Sequence, residues 1–220
     1  MSTRDETRTM RVAGLAGVVG VSLGSVGALV DQMWQFPATQ STSPEVAAFV
    51  NGHRTALLVA MFLNTAAVLL WLAFGAGVWL RLHDATGAEN YLSACFALGL
   101  VGLVILLFAG FTPFLVLTYR APDSSDARLL YDASFGLLAM SGAPTVLAMG
   151  SYAARVLRTG ALPRTTAILA AVCAAAHVAL FASFVVREGF FSLEGPVIMA
   201  IPGTLFLWIV ATSIAMLRGH

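Results

Sequence analysis

Residues 12–33 read VAGLAGVVGVSLGSVGALVDQM, an apolar span in which Gly14, Gly17, Gly20, Gly24 and Gly27 recur three or four residues apart and Asp31 continues the series. At about 100° per residue these six positions share one side of a helix. A stripe without side chains lets a second backbone come close, and inside a bilayer such close packing is a main source of helix association. The stretch predicts a membrane-embedded helix bundle with this span as its central packing post.

Composition agrees. Of 220 residues, 59% are hydrophobic and only 10% charged, and the mean hydropathy is +0.86. A bilayer core about 30 Å thick takes about 20 apolar residues per helix, and six such stretches fill nearly the whole chain. The fold class expected is therefore all-α: a single-domain polytopic transmembrane bundle with spans near 12–33, 54–80, 91–117, 129–157, 165–186 and 196–217. The polar start of the chain, with Arg4, Arg8 and Arg11, also has the form of a signal-peptide n-region with cleavage near Ala28. The apolar run continues through Leu29 and Val30, which favours a retained span.

Charge orders the spans. With the N-terminus inside, Arg4, Arg8, Arg11, Arg81, Arg155, Arg158, Arg164 and Arg218 fall on the cytoplasmic side, against Arg54, Arg120, Arg128 and Arg187 outside. Eight against four predicts both termini in the cytoplasm. All twelve basic residues are arginine; without lysine, no Schiff-base cofactor can be held. The net charge of +1 offers no basic face for nucleic acid. Cys95 and Cys173, both inside spans, read as packing thiols. No cofactor and no metal is expected.

Loop one, 34–52, is the longest connection. Ser43-Pro44-Glu45 reads as an N-cap, a first-turn proline and a first-turn acid, which predicts a short interfacial helix over Pro44–Val50 ending at Asn51-Gly52. An early start to span two accounts for the same residues, and both readings stand open. Trp34 and Phe36 just upstream suit the membrane interface. Span three carries Thr112-Pro113 and span four Ser141, Gly142 and Pro144, two places where a missing backbone donor predicts a bend.

Leu130-Tyr131-Asp132-Ala133-Ser134 and Arg158-Thr159-Gly160-Ala161-Leu162-Pro163-Arg164, together with Arg11-Val12-Ala13-Gly14 and Asn51-Gly52-His53-Arg54, form a pattern over most of the chain. In it the chain resembles the uncharacterised six-helix integral membrane proteins of actinobacteria. The resemblance implies a six-span architecture in a bacterial plasma membrane and supplies no functional residues.

Two groups of residues are candidates for chemistry. Asp31, His53, Arg54, Arg120, Asp132, Arg187, Glu188 and Glu194 gather at the outer ends of the spans. There Asp31 with Arg54, and Asp132 with Arg120 or Arg187, would lower each other's cost of partial burial. Charges at span ends also commonly anchor helices at headgroups. The second group is Asn64 and His177, both near mid-depth, where polar residues usually face the protein interior.

Three functions follow as expectations. In the first, the bundle binds a lipid or other apolar ligand at its outer mouth through Arg54, Arg120, Arg187, His53, Asn64 and His177, alone or as an accessory subunit of a membrane complex, with a membrane protein or a second copy as partner. In the second, Asp132, Asp31 or Glu188 donates a proton in the cyclisation or isomerisation of an isoprenoid-like substrate. In the third, Asn64 and His177 serve proton-coupled transport. No Asp-rich diphosphate motif or His-Glu-x-x-His helix is present to name a reaction.

Overall fold

Each glycine of the first span meets a neighbouring helix. In the computed structural model, which describes residues 3–32, 36–38, 40–85, 90–120, 125–193 and 195–219, α1 (Thr3–Gln32) lies along α2 (Ser43–Asp84) and α8 (Pro202–Leu217). A Cβ on Gly14 would meet the Ser213 carbonyl oxygen at 3.0 Å, one on Gly20 would meet the Trp71 ring at 2.8 Å, and one on Gly27 would run into the Asn64 amide. The opposite side of α1, with Val12, Leu15, Val19, Val26 and Leu29, is exposed. The expectation that span one is the central post is thereby corrected: α1 is an edge helix. The centre belongs to α2, which packs on α1, α3 (Asn90–Arg120), α4 (Ala127–Met140) and α5 (Gly142–Thr159).

The long apolar stretches are helical, the form in which a backbone satisfies its own hydrogen bonds, while Val185, Val186, Phe190 and Phe191 lie outside the helices. Five segments are long and apolar enough to cross a membrane: Thr7–Leu29, Ser43–Asp84, Asn90–Arg120, Ala127–Thr159 and Arg164–Phe184. The sixth expected span is divided. A short turn of helix, α7 (Val197–Ala200), precedes α8, and Pro202 opens α8 at its first turn. At about 1.5 Å per residue the 16 residues of α8 reach only about 24 Å, less than a bilayer core.

Loop one is shorter than expected. Helix α2 runs 42 residues without interruption from Ser43, so the early start is the reading that holds and there is no separate interfacial helix. Thr42, not Ser43, is the N-cap: its backbone N–H donates to Glu45 Oε2 at 2.7 Å, closing a capping box. The glycine at position 52 fails to end the helix because packing overrides its propensity. Val46 and Val50, one turn before it, are fully buried in a cluster with Phe114, Leu117, Tyr131 and Phe135.

The proline in span four acts as expected. Pro144 has no N–H to offer Met140, and the helix breaks one turn earlier, at Ser141, separating α4 from α5. Pro113 is carried inside a continuous α3. Span five also changes character part-way: α6 (Arg164–Val178) tightens into a 3-10 segment over Ala179–Phe184.

Arginines tie helix ends together. The buried Arg155 of α5 donates to the Leu82 and Ala85 carbonyls at the end of α2, Arg81 of α2 donates to Ala161 in the α5–α6 turn, and Arg54 of α2 donates to Thr118 and Tyr119 at the end of α3. The last carbonyls of a helix have no partner of their own, and a guanidinium supplies both donors and the positive charge that a helix C-terminus attracts.

Candidate functional site

The hydrophobic core has two large clusters and a small third one of Leu180, Val197 and Ile201, and between the two large ones lies a cavity of about 410 Å³. Met61, Phe114, Phe135 and Ile198 of the loop-one cluster form one wall, and Val68, Trp71, Leu103 and Leu205 of the larger cluster form the other. Nothing in the spacing of these residues along the sequence marks them as facing a common space. The volume lies within the range of about 300–1,000 Å³ usual for small-molecule sites.

Three local features build the cavity. The helix is interrupted at Ser141, between α4 and α5, and Ser141 spends its hydroxyl on the Leu138 carbonyl at 2.6 Å. Ser134 donates to the Gly110 carbonyl at 2.6 Å, fixing α4 against α3. Loop one supplies the roof. Phe36 lines the cavity and packs its ring against Phe49, Phe114 and Phe135, at centroid separations of 5.4, 6.3 and 5.6 Å. The loop is held in place by Tyr131, which donates to the Pro37 carbonyl at 3.0 Å, and by Arg128, which donates to Ala38 and Ser41.

Of the residues singled out from the sequence, Asn64 and His177 line this cavity. Asn64 projects from α2 against the Gly27 backbone. His177 is 3% exposed. Its Nδ1 lies 2.8 Å from the Cys173 carbonyl oxygen, one turn back on its own helix. A carbonyl can only accept, so Nδ1 carries the proton, and in the neutral ring Nε2 is then an acceptor.

The charged residues lie elsewhere. Asp132 pairs with Arg128, not with Arg120 or Arg187; the Nε–Oδ2 distance is 2.9 Å on one face of α4. Arg54 is engaged by the end of α3, and His53 Nδ1 lies 2.8 Å from the Phe49 carbonyl oxygen. Arg120, Arg187 and Glu188 are exposed. None of these seven lines the cavity. Asp31 sits in the last turn of α1 with its side chain outside the described ones, and Trp34 and Glu194 lie outside the described residues. The expected pairing of Asp31 with Arg54 falls on that undescribed side chain.

Among the described residues the lining holds no charged side chain. Its polar groups are Asn64, His177, the hydroxyls of Ser25, Ser134 and Ser141, and the indole N–H of Trp71, which is buried with no partner among the described residues. Such a site can solvate an apolar body and meet one or two hydrogen-bonding groups, but it offers no counter-charge to an ionic head. It also reaches the surface. Leu29 near the end of α1 and Gly203 at the start of α8 both line it and are both exposed. These two helices stay in contact as far as Gly24 and Phe206.

In comparison with known proteins, no family model, no curated protein and no solved structure matches this chain.

Asp132→Asn tests how separate the charged residues are from the cavity. The pair with Arg128 is an i,i+4 contact with Asp132 40% exposed, so its loss is expected to cost no more than about 1 kcal/mol. Thermal unfolding of the purified variant should shift little, and its retention of apolar molecules should equal that of the unaltered protein.

Proposed function

We propose that the protein is a multi-pass membrane protein that binds an uncharged apolar ligand in the interhelical cavity, taking it up sideways from the bilayer between the end of α1 and the start of α8. A bacterial plasma membrane with both termini cytoplasmic is part of this reading, supported by the distribution of arginines in the sequence. The observation that carries it is the cavity itself. It has about 410 Å³ of space, an apolar wall and an opening beside Leu29 and Gly203, in a chain whose helices present apolar side chains outward. The acid-catalysed reading has less support, since no carboxylate is among the described lining residues.

Gly203 gives a clean test. A Cβ there meets nothing within 4 Å, so Gly203→Leu adds bulk at the opening without a clash, and removing a helical glycine favours the helix by about 0.5–1 kcal/mol. Purification with native lipid followed by mass spectrometry should find a neutral apolar molecule held by the unaltered protein and several-fold less of it in the variant. If nothing apolar is held by the unaltered protein, the reading fails. Equal retention by Gly203→Leu would remove the α1–α8 opening from it.

A further inference from the structure

We infer that the ligand is a neutral lipid alcohol, a long apolar chain ending in a single hydroxyl, and that the hydroxyl donates its hydrogen bond to His177 Nε2. This rests on the cavity being a ligand site and names the class of molecule it takes.

The inference begins with an unmatched acceptor. Nδ1 of His177 is committed to the Cys173 carbonyl at 2.8 Å. For Nε2, on the other side of the ring, the described residues provide no donor. The side chain is nevertheless 97% buried, as its 3% exposure requires, and it lines the cavity. A ligand O–H entering the cavity would give Nε2 a hydrogen bond worth about 0.5–1.5 kcal/mol net. Two hydroxyls of the same lining are engaged elsewhere: Ser141 donates to Leu138 and Ser134 to Gly110.

Charge excludes the competing classes. A phosphate or carboxylate head would need a cation, and no described lining residue is charged. Arg54, the cation of α2 on the loop-one side of Asn64, is taken up by the Thr118 and Tyr119 carbonyls. A ketone or ether of the same size fills the apolar space equally well and could accept from the Trp71 indole N–H, but it brings no donor and leaves Nε2 unmatched, whereas a hydroxyl can both accept and donate. The opening beside Leu29 and Gly203 lets a chain longer than the cavity trail into the bilayer.

The test compares farnesol with farnesyl methyl ether and farnesyl phosphate, titrated against the full-length protein in detergent and read by native mass spectrometry. Farnesol should bind ~2–10-fold more tightly than its ether, the worth of one net hydrogen bond, and farnesyl phosphate more weakly than either. In His177→Phe, which keeps a ring of similar size, the ratio of alcohol to ether affinity should fall to about one. Equal binding of alcohol and ether by the unaltered protein overturns the inference and leaves the cavity as an apolar site. Tighter binding of the phosphate overturns it as well. Failure of both alcohol and ether to bind overturns the proposed function together with the inference.

Discussion

Gly99→Ala is expected to destabilise the bundle more than an alanine at Gly14, Gly20 or Gly24 of α1. A Cβ on Gly99 would lie 2.6 Å from the backbone nitrogen of Ala148, 2.7 Å from the Pro144 carbonyl oxygen and 2.9 Å from the Ala148 Cα. All three are backbone atoms of α5, so no side chain can turn aside, and α3 and α5 would have to separate. On Gly20, by comparison, the nearest atoms belong to the Trp71 and Leu70 side chains, and on Gly24 every neighbour is at 3.4 Å, an ordinary contact. Overpacking a well-filled core costs about 1–3 kcal/mol, and a contact that only a helix shift can relieve belongs at the upper end. Thermal unfolding in detergent, followed by tryptophan fluorescence, should rank Gly99→Ala well below Gly20→Ala, with Gly24→Ala close to the unaltered protein. An unfolding temperature for Gly99→Ala equal to that of Gly24→Ala would contradict the close α3–α5 packing.

The comparison shows how far the sequence could be read. The stripe in α1 was legible because its glycines repeat at helical spacing, and each does meet another helix. Its rank was not legible. Gly99 and Gly102 make no such stripe, yet Gly99 marks the closer approach to a neighbouring backbone, because the distance between two helices depends on both partners. The apolar spans could be located since lipid obliges each of them to form a helix. Where α2 begins could not, because Asn51-Gly52 reads as a stop until Val46 and Val50 are seen buried against α3 and α4.

The same division runs through the candidate site. Asn64 and His177 stood out as polar residues at mid-depth, and both line the cavity. The charged residues near the span ends suggest a mouth with Arg54, Arg120 and Arg187 as ligands, whereas Arg54 is occupied by backbone carbonyls and the exposed Arg120 and Arg187 do not line the cavity. Carbonyls carry no sequence signature, since every residue has one, so a guanidinium that caps a neighbouring helix looks the same in the sequence as one that waits for a lipid head. Phe36 gave no signal beyond being aromatic; its place in the roof depends on Tyr131 and Arg128, far along the chain.

Arg155 carries this point furthest, and Arg155→Met should be among the most damaging single changes outside the glycine contacts. Counted from the sequence it is one more basic residue at a span end. In the fold it is 1% exposed and its guanidinium donates to Leu82 at 3.2 Å and to Ala85 at 2.7 Å. Methionine keeps much of the apolar stem but returns two carbonyls to the unmatched state, in a place where water does not replace the donor. Hydrogen bonds to a charged group are worth about 1.5–3 kcal/mol each, which puts the expected loss at about 2–5 kcal/mol once some relaxation is allowed. Arg54→Met is the matched control: it removes two bonds of the same kind from the end of α3, but Arg54 is exposed, so water or headgroups can take its place and about 1 kcal/mol or less should be lost. Lysine at 155 should recover part of the stability through one bond at a time, since an ammonium cannot span both carbonyls as a guanidinium does. The order expected in thermal unfolding is therefore Arg155→Met lowest, then Arg155→Lys, then Arg54→Met. Equal losses at 155 and 54 would mean that burial does not decide what these caps are worth.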